Sequence, residues 1–145
     1  MLIETLHALT TSRLAVLGMS ASLQQAALSF SQPGIGLIVV CHHGGGAVGV
    51  LSKSDLVRHL ASSETSSRPA AELMSRNMIT CTPQDDVHEV WEIMAAQKLQ
   101  NLPVLDAGSR PVGILDIRDA MRALLEYEQM QEQMLSNYVT GLGYR

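Results

Sequence analysis

Polar side chains that suit a phosphorylated sugar stand together in one short segment of the chain. Gly49–Asp55 places Ser52, Ser54 and Asp55 directly after a glycine and two aliphatic residues. An ionised carboxylate accepts two hydrogen bonds at once, which matches the vicinal hydroxyls of a ribose. Serine hydroxyls and the unpaired N–H groups at a helix N-terminus suit a phosphate. The segment therefore predicts a nucleotide site in which Asp55 binds the ribose.

The same pattern returns 64 residues later in Gly113–Asp119. Arg118 and Asp119 take the places of Ser54 and Asp55, but Asp116 stands where the first copy has Ser52. An aspartate caps a helix as well as a serine does, yet it repels a phosphate by on the order of 1–4 kcal/mol near a surface. Arg118 offsets part of that repulsion. We expect this second site to be empty, to hold a neutral nucleoside portion, or to need a cation.

Both segments also have a purely structural interpretation. A serine followed three residues later by an acid is close to a capping box, and a serine cap is worth about 1 kcal/mol to a helix. Asp55 is also placed to pair with Arg58, three residues further along the same helix. The residue types of this segment leave the nucleotide site and the helix cap both open.

The two segments belong to a longer internal repeat. Aligned at the offset of 64 without gaps, residues 13–60 and 77–124 share eight identities, and both copies carry the same helical face. That face has apolar residues at i, i+3, i+4 and i+7, which is typical of an amphipathic helix. Its members are Leu23, Ala26, Ala27 and Phe30 in the first copy, and Val87, Val90, Trp91 and Met94 in the second.

Each copy predicts the element order β-α-β-β-α. The strands are expected at 14–17, 35–40 and 47–51 in the first copy and at 78–81, 102–105 and 111–115 in the second, and the closing helices at 54–60 and 117–125. One unit of about 50 residues is small for an independent core. We therefore expect a mixed α/β fold in which two repeats pack about a pseudo-two-fold axis, followed by a C-terminal helical extension.

This organisation predicts four segments: a first repeat at 1–62, a linker at 63–72, a second repeat at 73–126 and a tail at 127–145. The linker is Ser-rich and polar, and a short helix at 70–74 ends it. The tail continues a helix, because Ala120–Val139 contains neither Gly nor Pro. Its apolar stripe either folds back on its own domain or forms a homodimer surface, and we favour the homodimer because the helix outlasts the repeat. The stripe consists of Leu124, Tyr127, Met130, Met134 and Tyr138.

A doubled β-α-β-β-α unit with glycine, two aliphatics, Ser or Thr and an aspartate three residues on resembles tandem CBS domains, the pair called a Bateman module. Thr80–Pro83 and Leu102–Asp106 are similar to further elements of that family's pattern. Tyr138–Gly141 resembles the end of small stand-alone bacterial members.

The resemblance implies a regulatory module, not an enzyme, that binds AMP, ADP, ATP, NAD or S-adenosylmethionine between the repeats and modulates a partner protein. No cofactor is required. The expected ligand-binding residues at the helix starts are Ser52, Ser54, Asp55, Arg118 and Asp119. Those on or near the strands, which would flank the adenine unless they serve only the core, are Val16, Leu37, Ile38, Val39, Thr80, Leu102 and Pro103.

Several other classes of function lack support in the sequence. The net charge is −4 without a Lys/Arg cluster, which argues against nucleic-acid binding. No apolar run approaches the roughly 18 residues of a membrane span, and the N-terminus does not resemble a signal peptide. Cys41 and Cys81 lie in apolar runs, which is typical of buried thiols in a reducing cytoplasm. We expect a cytoplasmic protein.

Metal and catalytic sites are also not indicated. His42 and His43 are adjacent on a strand and point to opposite faces, so they do not favour one shared metal ion. Cys81 and His88 lie on different elements, and no phosphate-binding glycine loop of the nucleotide-hydrolase or dinucleotide type is present. The main alternative to a nucleotide sensor is a ligand-free dimeric scaffold for protein interactions.

Overall fold

The computed structural model describes residues 1–62 and 68–143, with side chains as far as residue 140. Half of the predicted linker, residues 63–67, lies outside the described residues. The strands are β1 (Val16–Gly18), β2 (Leu37–Cys41), β3 (Ala47–Ser52), β4 (Asn101–Leu105) and β5 (Pro111–Asp116). The helices are α1 (His7–Ser12), α2 (Leu23–Phe30), α3 (Lys53–Ser62), α4 (Val87–Gln97) and α5 (Ile117–Gly143), with 3-10 turns at Ile3–Leu6 and Ala70–Glu72.

The two sheets repeat one hydrogen-bonding register. In the first sheet, β1 is parallel to β2 and β2 is antiparallel to β3. In the second, β4 is antiparallel to β5, and the predicted opening strand at 78–81 is reduced to a parallel bridge between Cys81 and Val104. That bridge lies 64 residues after the β1–β2 pair Leu17–Val40. The mixed α/β fold of two equivalent repeats is therefore confirmed.

The repeat is also visible in the backbone dihedral angles, because positive φ values recur at equivalent positions. Among the described residues, those with positive φ are Gly34 (83°), Gly45 (91°), Lys98 (57°) and Ser109 (61°). Gly34 corresponds to Lys98 and Gly45 to Ser109 at the same offset of 64 residues. The second repeat thus adopts the left-handed conformation at both turns with residues other than glycine. The first repeat has glycine at these positions, which is the sterically favoured residue for a positive φ.

Side-chain caps at Ser22 and Asp86 begin α2 and α4. Ser22 accepts a hydrogen bond from the N–H of Gln25, whose side chain returns one to the Ser22 N–H, forming a full capping box. Asp86 accepts from the N–H of Glu89 in the same way. Both caps satisfy backbone donors that a helix start otherwise leaves unpaired.

Each repeat has its own apolar core, and a third cluster joins them. The joining cluster consists of Leu37, Val39, Cys41 and Ile114, which are all buried. The repeats also exchange segments: α1 packs on β5, while Ser75 pairs with Val50 of β3 through N–H···O bonds of 2.8 and 2.9 Å. The expected packing of two repeats into one globule follows from these contacts.

Helix α5 continues well past the second repeat, as the absence of Gly and Pro predicted. Its side chains are exposed from Leu125 to Thr140, including Met134 at 60% and Tyr138 at 66%. Within residues 1–62 and 68–143, none of the helices is both long enough and apolar enough to cross a membrane.

Candidate functional site

A cleft of about 1100 Å³ lies between the two repeats. Its walls come from the start of β2, the β3–α3 junction, the segment before α4, the entry to β4 and the β5–α5 junction. The sequence-predicted residues that line it are Leu37, Ser52, Ser54, Pro103 and Arg118. The cleft is thus bordered by the starts of both α3 and α5, where the positive end of the helix dipole favours an anion.

Asp55 lines a smaller adjoining cavity of about 470 Å³. Ser75 belongs to both cavities and marks their junction. The Asp55 carboxylate is 34% exposed, so a polar ligand can reach it from solvent. The arrangement leaves room for a sugar beside Asp55 and for larger groups in the main cleft.

The other predicted residues line neither cavity. Ile38, Val39 and Leu102 are fully buried in the core, whereas Val16 and Thr80 are exposed to solvent on the strand edges and connecting segment. Because β2 is apolar on both faces, its sequence cannot distinguish a residue that faces the core from one that faces a cleft.

The start of α3 contains both the serine cap and the Asp55–Arg58 ion pair that a purely structural role predicts. Ser52 Oγ accepts a hydrogen bond of 3.1 Å from the Asp55 N–H, and it lies 3.1 Å from Ser54 Oγ. Arg58 Nη1 donates to Asp55 Oδ1 at 3.2 Å. Because the Arg58 side chain is 76% exposed, solvent screens this ion pair, so the pair is weak. These contacts cap the helix without closing the carboxylate to a ligand.

The start of α5 is built around a different set of charges. Asp116 is 2% exposed and accepts hydrogen bonds from the backbone N–H and the guanidinium of Arg118 at 2.7–3.0 Å. Arg13 Nη1 lies 3.6 Å from Asp116 Oδ2. Burial alone would raise the pKa of Asp116, but the bonds from Arg118 and the charge of Arg13 bring it below its ordinary value of 3.8.

Arg13 also binds Asp119, the second-repeat counterpart of Asp55. Its Nε donates to Asp119 Oδ2 at 2.5 Å and its Nη2 to Oδ1 at 3.2 Å, while Nη1 donates to the Gly34 carbonyl at 3.1 Å. The hydrogen bond to Asp119 raises the pKa of Arg13 above its ordinary value. The Asp119 side chain is 8% exposed and lines neither cavity. A cation therefore stands at this helix start, and it comes from the first repeat.

Sequence reasoning missed Arg13 and several polar residues of the main cleft. Lys53, Lys98 and Asn77 are among those that line it. The two carboxylates Asp116 and Asp119 at one helix start were the available signal for a nearby cation. Nothing local pointed to Arg13, which is 106 residues from Asp119 in the chain.

The charges that line the main cleft favour an anionic ligand. They comprise the cations Lys53, Lys98 and Arg118 and one carboxylate, Asp116, which is already bound to Arg118. An excess of positive charge in a concave site attracts phosphate groups and raises the rate of their capture.

Two features sometimes linked to chemistry have structural explanations. Burial, with a smaller contribution from Asp85, raises the pKa of Cys81 to about 12, and burial also raises the pKa of Cys41. Both thiols are therefore protonated at neutral pH and unreactive. Among residues 1–62 and 68–143, no group of three His, Cys, Asp or Glu side chains is arranged to hold a metal ion.

Known proteins similar to this chain include a 17.7 kDa uncharacterized protein of Acidianus ambivalens, 26% identical over 93% of the chain and 82% of the relative. The CBS domain-containing protein YhcV of Bacillus subtilis is 24% identical over 93% of the chain and 92% of its own length. Arabinose 5-phosphate isomerase GutQ of Salmonella typhi is 29% identical over 72% of the chain, which spans only 33% of that enzyme.

Solved structures with the same fold include the CBS domain pair of MJ0100 in complex with 5-methylthioadenosine and S-adenosyl-L-methionine. It has a TM-score of 0.75 at 23% identity, and the match covers 88% of this chain and 98% of that one. PAE2072 of Pyrobaculum aerophilum, a CBS domain protein complexed with AMP, has a TM-score of 0.67 at 26% identity, covering 76% and 88%. The CBS domain model matches residues 6–62 and 70–126, so the chain belongs to the CBS domain family as a tandem pair.

Proposed function

We propose that this chain is a regulatory module that senses an adenosine-containing nucleotide in the cleft between its repeats and modulates a partner protein. The observation that carries the proposal is the junction at Ser75, where the accessible carboxylate of Asp55 adjoins a cleft that holds Ser52 and Ser54. A ribose at Asp55 would direct its phosphates toward the start of α3.

The size and charge of the cleft refine the ligand class. Ligand sites in proteins typically measure about 300–1,000 Å³, so the main cleft has room for a whole nucleotide. Lys53, Lys98 and Arg118 favour AMP, ADP, ATP or NAD over S-adenosylmethionine, whose sulfonium carries a positive charge. The fold is shared both with PAE2072, complexed with AMP, and with MJ0100, complexed with S-adenosyl-L-methionine, so the preference rests on the charge of the cleft.

Calorimetric titration of AMP, ATP, NAD and S-adenosylmethionine against the purified protein tests the proposal. A nucleotide at a hundredfold excess over its dissociation constant adds about 2.7 kcal/mol to the free energy of unfolding. Asp55→Ala should weaken binding at least tenfold, because hydrogen bonds to a charged group contribute about 1.5–3 kcal/mol. Glu92→Ala, which removes an exposed carboxylate from α4, should bind as wild type does.

The sugar provides an independent measurement. A 2′-deoxynucleotide lacks one of the two hydroxyls that Asp55 is proposed to hold, so it should bind more weakly than the ribonucleotide. Equal affinities would remove Asp55 from this role. Absence of heat and of any rise in melting temperature with all four ligands would overturn the sensor function.

A second candidate is a ligand-free dimeric scaffold, favoured by helix α5. Its apolar stripe, which consists of Leu124, Tyr127, Met130, Met134 and Tyr138, extends beyond the second repeat. We propose that the stripe joins two copies of this chain in a homodimer. The sensor and the scaffold share this dimer and differ in whether the cleft binds a nucleotide.

A further inference from the structure

We propose that Arg13 occupies the position at which the second repeat would hold a ribose. The chain then binds one nucleotide, at the first repeat, and removal of the guanidinium opens a second site. This inference rests on the proposed function, because it assigns the stoichiometry and the location of the same ligand.

The first step is the equivalence of Asp119 and Asp55. Each is the third residue of the helix that follows its repeat's last strand, since α3 begins at Lys53 and α5 at Ile117. The strand pairings that lead into the two helices also match, with Leu37–Ser52 in one repeat and Asn101–Asp116 in the other. Asp119 therefore stands where a carboxylate would receive a ribose.

The second step is that Arg13 already uses both oxygens of Asp119. Nε and Nη2 donate to Oδ2 and Oδ1, in the two-bond geometry that a pair of vicinal hydroxyls would otherwise adopt. The remaining nitrogen, Nη1, is held by the Gly34 carbonyl and lies near Asp116. A bidentate guanidinium bond is charge-assisted and stronger than bonds from neutral hydroxyls, so a ribose does not displace it.

The third step is the contrast with the first repeat. The residue at the position of Arg13 in the second repeat is Asn77, which is neutral and shorter and lines the open cleft. Within the part of the chain that the structure describes, Asp55 forms an ion pair with the exposed Arg58 alone, and its side chain is 34% exposed, against 8% for Asp119. Among the charged side chains in which the two copies differ, Arg13 is the one that crosses between the repeats to the second-repeat aspartates.

Isothermal titration with AMP and with adenosine, which carries no phosphate for Asp116 to repel, measures the number of sites per chain. Wild type should bind one equivalent and Arg13→Gln two, with the second equivalent lost again in the double variant Arg13→Gln/Asp119→Asn. Arg122→Gln removes an exposed arginine from α5 and should retain one equivalent. One equivalent in both wild type and Arg13→Gln would overturn the inference while leaving the sensor function standing, and two equivalents in wild type would do the same.

Absence of binding separates the two ideas further. No binding by either protein would overturn both the sensor function and this inference. Binding by Arg13→Gln alone would refute the site at the first repeat and support the blocking role of Arg13. Circular dichroism of each variant establishes that it is folded before titration.

A second pair of variants needs no change at Arg13, whose loss leaves the Asp119 charge without its partner. Asp119→Asn keeps the shape of the side chain and an oxygen for Arg13, so it should bind one equivalent of AMP within about twofold of the wild-type affinity. Asp55→Asn should bind AMP with an affinity at least tenfold lower than that of wild type. If Asp119→Asn lost binding and Asp55→Asn kept it, the ligand would sit at the second repeat and Arg13 would not exclude it.

Discussion

Gly113 of β5 lies so close to Thr10 of α1 that no side chain fits between them. A Cβ atom at Gly113 would stand 2.7 Å from the Cβ of Thr10 and 3.1 Å from its backbone carbonyl carbon. Gly49 approaches Met74 in the same way, and Met74 is the residue 64 positions after Thr10. These two glycines set the spacing at which each repeat receives the segment that precedes the other repeat's first strand.

Gly113→Ala should therefore destabilise the contact between the repeats. Overpacking of this kind costs about 1–3 kcal/mol, because the backbone of α1 must move away from β5. Gly18→Ala is the matched control, since a Cβ at Gly18 meets no atom within 4 Å. Urea denaturation monitored by circular dichroism gives both values. A Gly113→Ala midpoint equal to that of wild type would show that the contact is more compliant than its distances indicate.

Helix α2 offers a pair of leucines that separates core packing from helix propensity. Leu23 is fully buried and Leu28 is 63% exposed. Leu23→Ala should lower the free energy of unfolding by about 2–5 kcal/mol because it leaves a cavity under β2. Leu28→Ala should stay within about 0.5 kcal/mol of wild type. Similar losses for the two variants would mean that α2 does not face the core as described.

Acid should weaken the protein through Asp116. Its pKa is lower in the folded state than in the unfolded chain, so its contribution to stability is complete above about pH 4 and is lost as the pH falls through the folded-state pKa. At pH 7, Asp116→Asn should lower the free energy of unfolding by about 1.5–3 kcal/mol, the range for hydrogen bonds to a charged group. The difference should narrow as the pH is lowered from 7 to below the unfolded-state pKa of about 3.9. Thermal melts across this range test it, and a difference independent of pH would assign the loss to packing.

The apolar stripe of α5 predicts a dimer that charge disrupts. Met130→Glu/Met134→Glu places two carboxylates in the proposed interface, where unpaired charges are costly to bury, so the variant should elute as a monomer. Gln129→Glu/Ser136→Glu adds the same charges on the opposite face of the helix and should remain dimeric. Light scattering after size exclusion measures both masses. A monomeric wild type would refute the dimer. As a folding control, both variants should show the helical circular dichroism signal of the wild-type protein.

The element order followed from the sequence because its determinants are local. The spacing of Leu23, Ala26 and Phe30 predicts one buried helical face, and that face is buried. Ser22 and Asp86 cap the helices that they precede, since a cap needs only a side chain within three residues of the N–H it binds. The repeat itself could be predicted because the same apolar spacing and the same glycine-to-aspartate segment recur at one offset in the sequence.

The site could be predicted only in part, because only some of its determinants are local. Ser52 and Ser54 stand at a helix start whatever the rest of the fold does, and they line the cleft. Whether Ile38 and Val39 face a cleft or the core depends on which layer covers each side of β2, and period-two patterning carries no information on that.

The sequence by itself determined two copies of a β-α-β-β-α unit, their helix caps and the carboxylates at their helix starts, because neighbouring residues fix each of these. Only the tertiary structure decided that the copies differ in accessibility. Asp119 meets Arg13 across 106 residues, and Asp55 meets solvent and a cavity instead. A bond between distant residues requires the two repeats to dock at one spacing, and that spacing is set by packing at the interface between them, which no local pattern encodes.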